Sequence, residues 1–354
     1  MKRLAGFVPF VFALVLSALA HAQVAPVTRA PVLAPATAIL APNGMVVAQE
    51  SRAARIGVEI LDRGGNAVDA AVAVGFALAV TYPRAGNLGG GGFMVIHLAK
   101  ENRDTSIDYR ETAPSAATPT MFLDTAGNPD PKKSRDSALS VGVPGTVAGL
   151  ALAQQKYGSG KLSLAELIAP AIELAQQGFQ VEDDTADSLP RAKERLARWP
   201  SSAAIFLNGG DVLHAGDRLI QFDLAETLQA IAQDGPRAFY QGRIANGIAD
   251  AVRSAGGIMT ADDLKNYRAI EREPVRGIYR GYDIVSMPPP SSGGVALIEM
   301  LNILEGYDLG KLGRGERSLH YMIEAMKRAF ADRAVFMGDP GSHSPQGGHF
   351  VRLD

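Results

Sequence analysis

An arginine, a run of glycines, two serines and a histidine–glutamate pair are the residues whose types and spacing could do chemistry. Arg110 stands in DYRETAP. A guanidinium offers a planar fork that can grip a carboxylate through two parallel hydrogen bonds. With Glu111 next to it, a solvated ion pair is the simpler reading from the residues alone. Gly89 to Gly92 lie in AGNLGGGGFM. A phosphate loop would need GxxxxGK[ST], and a dinucleotide fingerprint follows a strand and opens a helix. This run follows helical text and opens strand-like text, so it reads as a tight crossing with close backbone packing. Ser291 and Ser292 in PPPSSGG lack the GxSxG elbow and read as a loop entering a helix. His320 and Glu324 sit four apart on one helical face without a third ligand or an HExxH, and read as structural rather than metal-binding. The chain has no cysteine, which removes thiol nucleophiles, disulfides and thiolate metal sites.

These residues need a large fold to hold them. The chain has 354 residues, is 47% hydrophobic and carries a net charge of −2, a balance that argues against a nucleic-acid partner. Lys2 and Arg3, the apolar run from Phe7 to Ala20 and AHA ending at Ala22 read as a signal peptide over 1–22. The mature chain is then expected to start near Gln23, in the periplasm or outside the cell. The competing reading is an uncleaved anchor, but the run is short of the roughly 20 residues a stable membrane span needs. Residues 23–44 read as a Pro/Ala-rich linker.

Met45 to Ala48 is a strand candidate, and Ser51 is placed to cap a helix through Leu61. Asn66 and Asp69 form a capping-box pair opening a helix over Ala67 to Val80 that is apolar on nearly every face. Phe93 to Ala99 and Thr105 to Glu111 predict a hairpin, followed by a polar loop to about Ser137 and a helix with Pro144 near its start. A helical lobe is expected over about 150–268, with capping boxes at Ser163–Glu166 and Thr260–Asp263 and a helix ending at Gly235. Strands VRGIY and YDIVSM flank a turn at Arg280–Gly281, and two helices follow. The order of elements predicts one α/β or α+β domain interrupted by the helical lobe.

Taken together, GGNAVDAAVA, AGNLGGGGFM, DYRETAP, GVPGTVAG, the Ile168 to Phe179 stretch, YRGYDIVSMPPPSSGG and AFADR occur in the order found in γ-glutamyltranspeptidases (glutathione hydrolases). The chain over 45–340 resembles the large-subunit portion of that family. The resemblance implies an N-terminal-nucleophile hydrolase fold, a four-layer αββα sandwich. It also implies a precursor that cuts itself into large and small subunits. The threonine that begins the small subunit attacks a γ-glutamyl amide such as glutathione, and the acyl group passes to water or an amino acid. No metal or organic cofactor is implied. The arginine of the family's RETAP motif, here Arg110, binds the α-carboxylate of the γ-glutamyl group.

The match departs from the family at its end. The family's Thr-Thr-His segment has no counterpart, and the last threonine is Thr260, inside a capping box. No catalytic residue is assigned within the chain, because the nucleophile is expected beyond Asp354. Residues 341–354 do not resemble the family continuation. The expectation is a truncated or frameshifted fragment, inactive alone and lacking the sandwich strands of the small-subunit partner, which would leave apolar edges uncovered. The alternative is a non-catalytic γ-glutamyl-binding pseudoenzyme or subunit.

Overall fold

Two helices that start at side-chain caps build the centre of the molecule. Its structure is a computed structural model that describes residues 37–339. Helix α1 spans Ser51–Asp62. Its cap is Glu50, not Ser51: the Glu50 carboxylate accepts the Ala53 amide at 3.0 Å, while the Ser51 hydroxyl donates to Glu182. Glu50 is buried and further held by Arg52, which places its oxygen over the first turn. Helix α2 spans Ala67–Thr81 and opens on the predicted capping box, with Asn66 accepting from Val68 and Asp69 and Asp69 returning a bond to the Asn66 amide. Eleven of its 15 residues are buried, which is what an unbroken apolar surface requires. At Gly57 an added Cβ would come within 2.6 Å of Val46 and 2.8 Å of Val74, so this glycine lets α1 lie against its neighbours.

Met45 to Ala48 is not a strand. The segment is irregular, with Met45 and Val47 exposed, and Val46 packs on the core. Among the described residues no strand pairs with it, so alternation alone makes no ladder.

Strands β1, Phe93–Leu98, and β2, Arg103–Asp108, form the predicted antiparallel hairpin, in register from Phe93 opposite Asp108 to Leu98 opposite Arg103. The return strand begins and ends earlier than its sequence suggests, so Tyr109, Arg110 and Glu111 lie past its end. Helix α3 (Thr146–Tyr157) and α4 (Leu164–Gln177, opened by the Ser163–Glu166 box and containing Pro170) pack against α2. The middle continues through α5 (Asp183–Ala197), α6 (Phe222–Asp234, ended by Gly235 at φ 69°), α7 (Arg243–Ser254) and α8 (Ala261–Asn266, opened by the Thr260–Asp263 box). The stretch read as a loop to Ser137 contains a short helix, Pro131–Asp136, capped by Asp130.

After α8 comes a strand that the sequence reading did not anticipate. β3, Ile270–Arg272, pairs antiparallel with β2, so the sheet order is β1-β2-β3 with β2 in the middle. Strands β4 (Val275–Tyr279) and β5 (Tyr282–Ser286) form a separate hairpin. Its turn residues, Arg280 and Gly281, both have positive φ, the conformation that suits the twist of a two-residue hairpin. Helix α9 (Gly293–Glu305) packs on this hairpin and on α10 (Glu316–Phe336). No described helix is long and apolar enough to cross a membrane. The expected signal segment, most of the linker and the 341–354 tail lie outside the described residues.

Candidate functional site

Arg110 leaves the end of β2 with its backbone held on both sides by other residues' side chains. Its amide donates to Asp108 Oδ1 at 3.0 Å, and its carbonyl accepts from the Tyr267 hydroxyl at 2.8 Å. The second oxygen of Asp108 accepts from Arg272 Nε at 2.8 Å, and both members of that pair are largely buried. Tyr267 stacks on Tyr240, ring centroids 5.7 Å apart and planes 7° from parallel. The Tyr240 hydroxyl in turn donates to the Pro144 carbonyl at 2.9 Å and accepts from the Ala148 amide. Burial is the main force raising the Tyr267 phenol above its ordinary value, with neighbouring Tyr240, Asp108 and Glu111 adding to it. Its hydroxyl therefore stays a donor throughout the neutral range.

The glycine run lies directly behind this arginine. Gly92 and Tyr109 exchange backbone hydrogen bonds, adding a rung beyond the hairpin. A Cβ on Gly91 would lie 2.5 Å from the Tyr109 carbonyl oxygen and 2.9 Å from the Arg110 Cα. A Cβ on Gly92 would strike the Tyr109 ring, and one on Gly149 of α3 would come within 2.1 Å of it. Tyr109 is thus clamped between two glycines, and its burial pushes the phenol up to about 12. The Gly90 carbonyl accepts from the Gly145 and Thr146 amides, at 2.7 and 3.1 Å, and so caps α3. The Asn87 side chain accepts from both the Gly90 amide and the Thr146 hydroxyl. The Gly90 and Gly92 amides are already taken within the protein, and the close approaches at Gly91 and Gly92 show the run serving backbone packing.

The guanidinium itself points elsewhere. Arg110 is exposed, and its guanidinium carbon lies 5.8 Å from the centroid of the Phe93 ring. Among the described residues it forms no ion pair, with Glu111 or any other carboxylate. The surface ion pair that the sequence suggested is therefore not formed.

Among the described residues, none of the other candidates hydrogen-bonds with Arg110. Ser292 accepts from Arg333 at 2.8 Å, and Ser291 accepts from the Gly293 amide, both at the start of α9. Glu324 is engaged by Lys327, which holds its carboxyl below the ordinary range. No group of three or more His, Cys, Asp or Glu among the described residues is placed to hold a metal. Thr260 caps α8, and its partner Asp263 also accepts from Ser115 at 2.8 Å, anchoring the loop after RETAP. Tyr267 and Arg272 escaped sequence reading because they are single polar residues without period or spacing to mark them, and the Thr260–Asp263 spacing gave the cap but not the Asp263 contact to Ser115.

The gamma-glutamyltranspeptidase family model matches residues 53–347. The chain belongs to the gamma-glutamyltranspeptidase family. It is 51% identical over 304 residues to the glutathione hydrolase proenzyme of Escherichia coli K12, covering 85% of this chain and 52% of that one. It is 45% identical over 305 residues to the Acylase ACY 1 proenzyme of Pseudomonas sp. V22, covering 84% of this chain and 54% of that one. Among solved structures, Helicobacter pylori gamma-glutamyltranspeptidase superposes with a TM-score of 0.83 at 46% identity, covering 87% of this chain and 88% of that one. The chain spans about half the length of the curated relatives it matches. The mixed α/β architecture belongs to the family's N-terminal-nucleophile hydrolase fold.

Proposed function

We propose that this chain is the large-subunit part of an enzyme that cleaves γ-glutamyl amides, with Arg110 as the clamp for the donor's α-carboxylate. The observation that carries this reading is an exposed guanidinium without a carboxylate partner, on a backbone gripped from both sides. An unpaired fork on a fixed backbone can bind a carboxylate directly, whereas a paired one must first be broken. The proenzyme relatives support the two-subunit arrangement, as does an apolar helix face described below. The small subunit's first threonine then supplies the nucleophile, and its own α-amino group, with an ordinary value near 8, is suited to take the proton at neutral pH. An oxyanion hole stabilises the tetrahedral intermediate. The acyl group goes to water or to an amino acid.

The test is donor kinetics with the complete two-subunit enzyme. Arg110→Ala should lower kcat/KM for γ-glutamyl donors by about 2–5 kcal/mol once the second subunit desolvates the pair. Arg110→Lys keeps the charge, loses the fork and should fall between. Self-cleavage of the precursor should proceed in both. An unchanged specificity constant in Arg110→Ala removes the residue from the site. The 45%-identical acylase relative adds acyl amides other than γ-glutamyl to the donors worth assaying.

Export is part of the same reading. A periplasmic or secreted enzyme should, by mass, begin at or near Gln23, and an intact Met1 on a membrane-bound product would refute it.

A further inference from the structure

We propose that Tyr267 is a positioning residue for Arg110, acting with the Asp108–Arg272 pair to set donor KM rather than kcat. The inference rests on the clamp reading above and concerns what aims the clamp. Arg110 lies two residues beyond β2, where no strand partner holds its peptide groups in place. The amide side is held by Asp108, itself fixed by Arg272 from β3. The carbonyl side is held by Tyr267, 157 residues away in sequence. Gly91 is needed beside Arg110, because an added Cβ there would fall 2.9 Å from the Arg110 Cα.

Tyr267 has little freedom to let go. Its ring lies flat on Tyr240, which is itself bonded to the residues around the start of α3. A Cβ on Gly145 would fall 2.0 Å from the Tyr267 hydroxyl oxygen, so the backbone there closes around the hydroxyl. The two grips on Arg110 come from the end of β2 and the α8–β3 segment. An arginine whose Cα is fixed in this way keeps only its side-chain torsions to search on meeting a carboxylate. Freeing the carbonyl adds backbone states that binding must then freeze, and this weakens ground state and transition state alike.

The test is a double-mutant cycle in the complete two-subunit enzyme, with a γ-glutamyl anilide as donor. Tyr267→Phe removes one oxygen and keeps the stacked ring. It should raise donor KM roughly three- to tenfold, the range for losing one neutral hydrogen bond, with kcat within about twofold. In an Arg110→Ala background the same substitution should add no further rise. A packing role alone would move KM equally in both backgrounds, or would lower the melting temperature without moving KM. Either result, with Arg110→Ala itself raising KM, overturns the positioning role and leaves the clamp standing. If Arg110→Ala leaves KM unchanged, the clamp reading falls and takes this inference with it. Should Tyr267→Phe fail to assemble, Asp108→Asn asks the same of the amide side, because it leaves one acceptor oxygen where two are in use. It should raise KM in the Arg110 background only, and an equal rise in Arg110→Ala overturns the proposal.

Discussion

Arg110 illustrates how a residue's type and its surroundings carry different parts of its role. Its type allows carboxylate binding, and its neighbours leave the fork unpaired while pinning the backbone beneath it. The glycine behind it follows the same logic. At Gly91 any side chain would meet the Tyr109 carbonyl at 2.5 Å and the Arg110 Cα at 2.9 Å, backbone atoms that move only with the site. Gly91→Ala is therefore expected to cost about 1–3 kcal/mol by overpacking. It should also raise donor KM, because the strain relaxes through the Arg110 segment. Thermal melts and donor kinetics on this variant check both parts. Gly89, which has open space around its Cβ position, should accept alanine with little effect.

At the scale of elements, the short strand β3 ties the site to the body of the molecule. Glu271 on β3 receives hydrogen bonds from Lys156 and Tyr157 of α3 and from Thr105 of β2. The Lys156 contact comes first among the causes that lower its carboxyl from 4.5 to about 2. The folded value lies below the unfolded one, so the folded state favours the ionised form. That stabilisation is fully present above about 4.5 and is lost as pH falls toward about 2. Melting temperature should drop through that window, and Glu271→Gln should flatten the drop while lowering the plateau at neutral pH. An identical acid limb in the variant would show that β3 is held by other contacts.

On the whole-molecule scale, the largest signal is an uncovered helix face. On α10, Ala325 and Ala329 are buried, on the helix that packs against α9. Leu319, Met322, Ile323, Met326 and Phe330 recur at helical spacing, each at least 43% exposed. A stripe of this kind is costly in water and marks an interaction surface. We expect the chain on its own to self-associate in size-exclusion chromatography. Met326→Asp with Phe330→Asp should restore a soluble monomer and at the same time weaken assembly with the proposed small subunit. A wild-type chain that runs as a monomer with a cooperative melt would mean that the stripe is covered from within.

The three capping boxes, the Arg280–Gly281 hairpin turn, the buried α2 and the β1–β2 hairpin are all legible in the sequence alone. Each is written in residues a few positions apart, where side chains bond to nearby backbone or repeat with a fixed period. Ordered motifs around Arg110 likewise identified the family. The Ser51 cap and the Met45–Ala48 strand were misread because each depends on a neighbour outside its own window: Glu50 locked by burial, and a partner strand. β3 is three residues long, too brief for any period to show. Tyr267 and Arg272 reach the Arg110 segment across 157 and 164 residues. Sequence by itself thus determined the local elements and the arginine. Tertiary packing alone decided what grips that arginine and that Glu111 does not pair with it, because contacts between distant segments exist only once the core has brought them together.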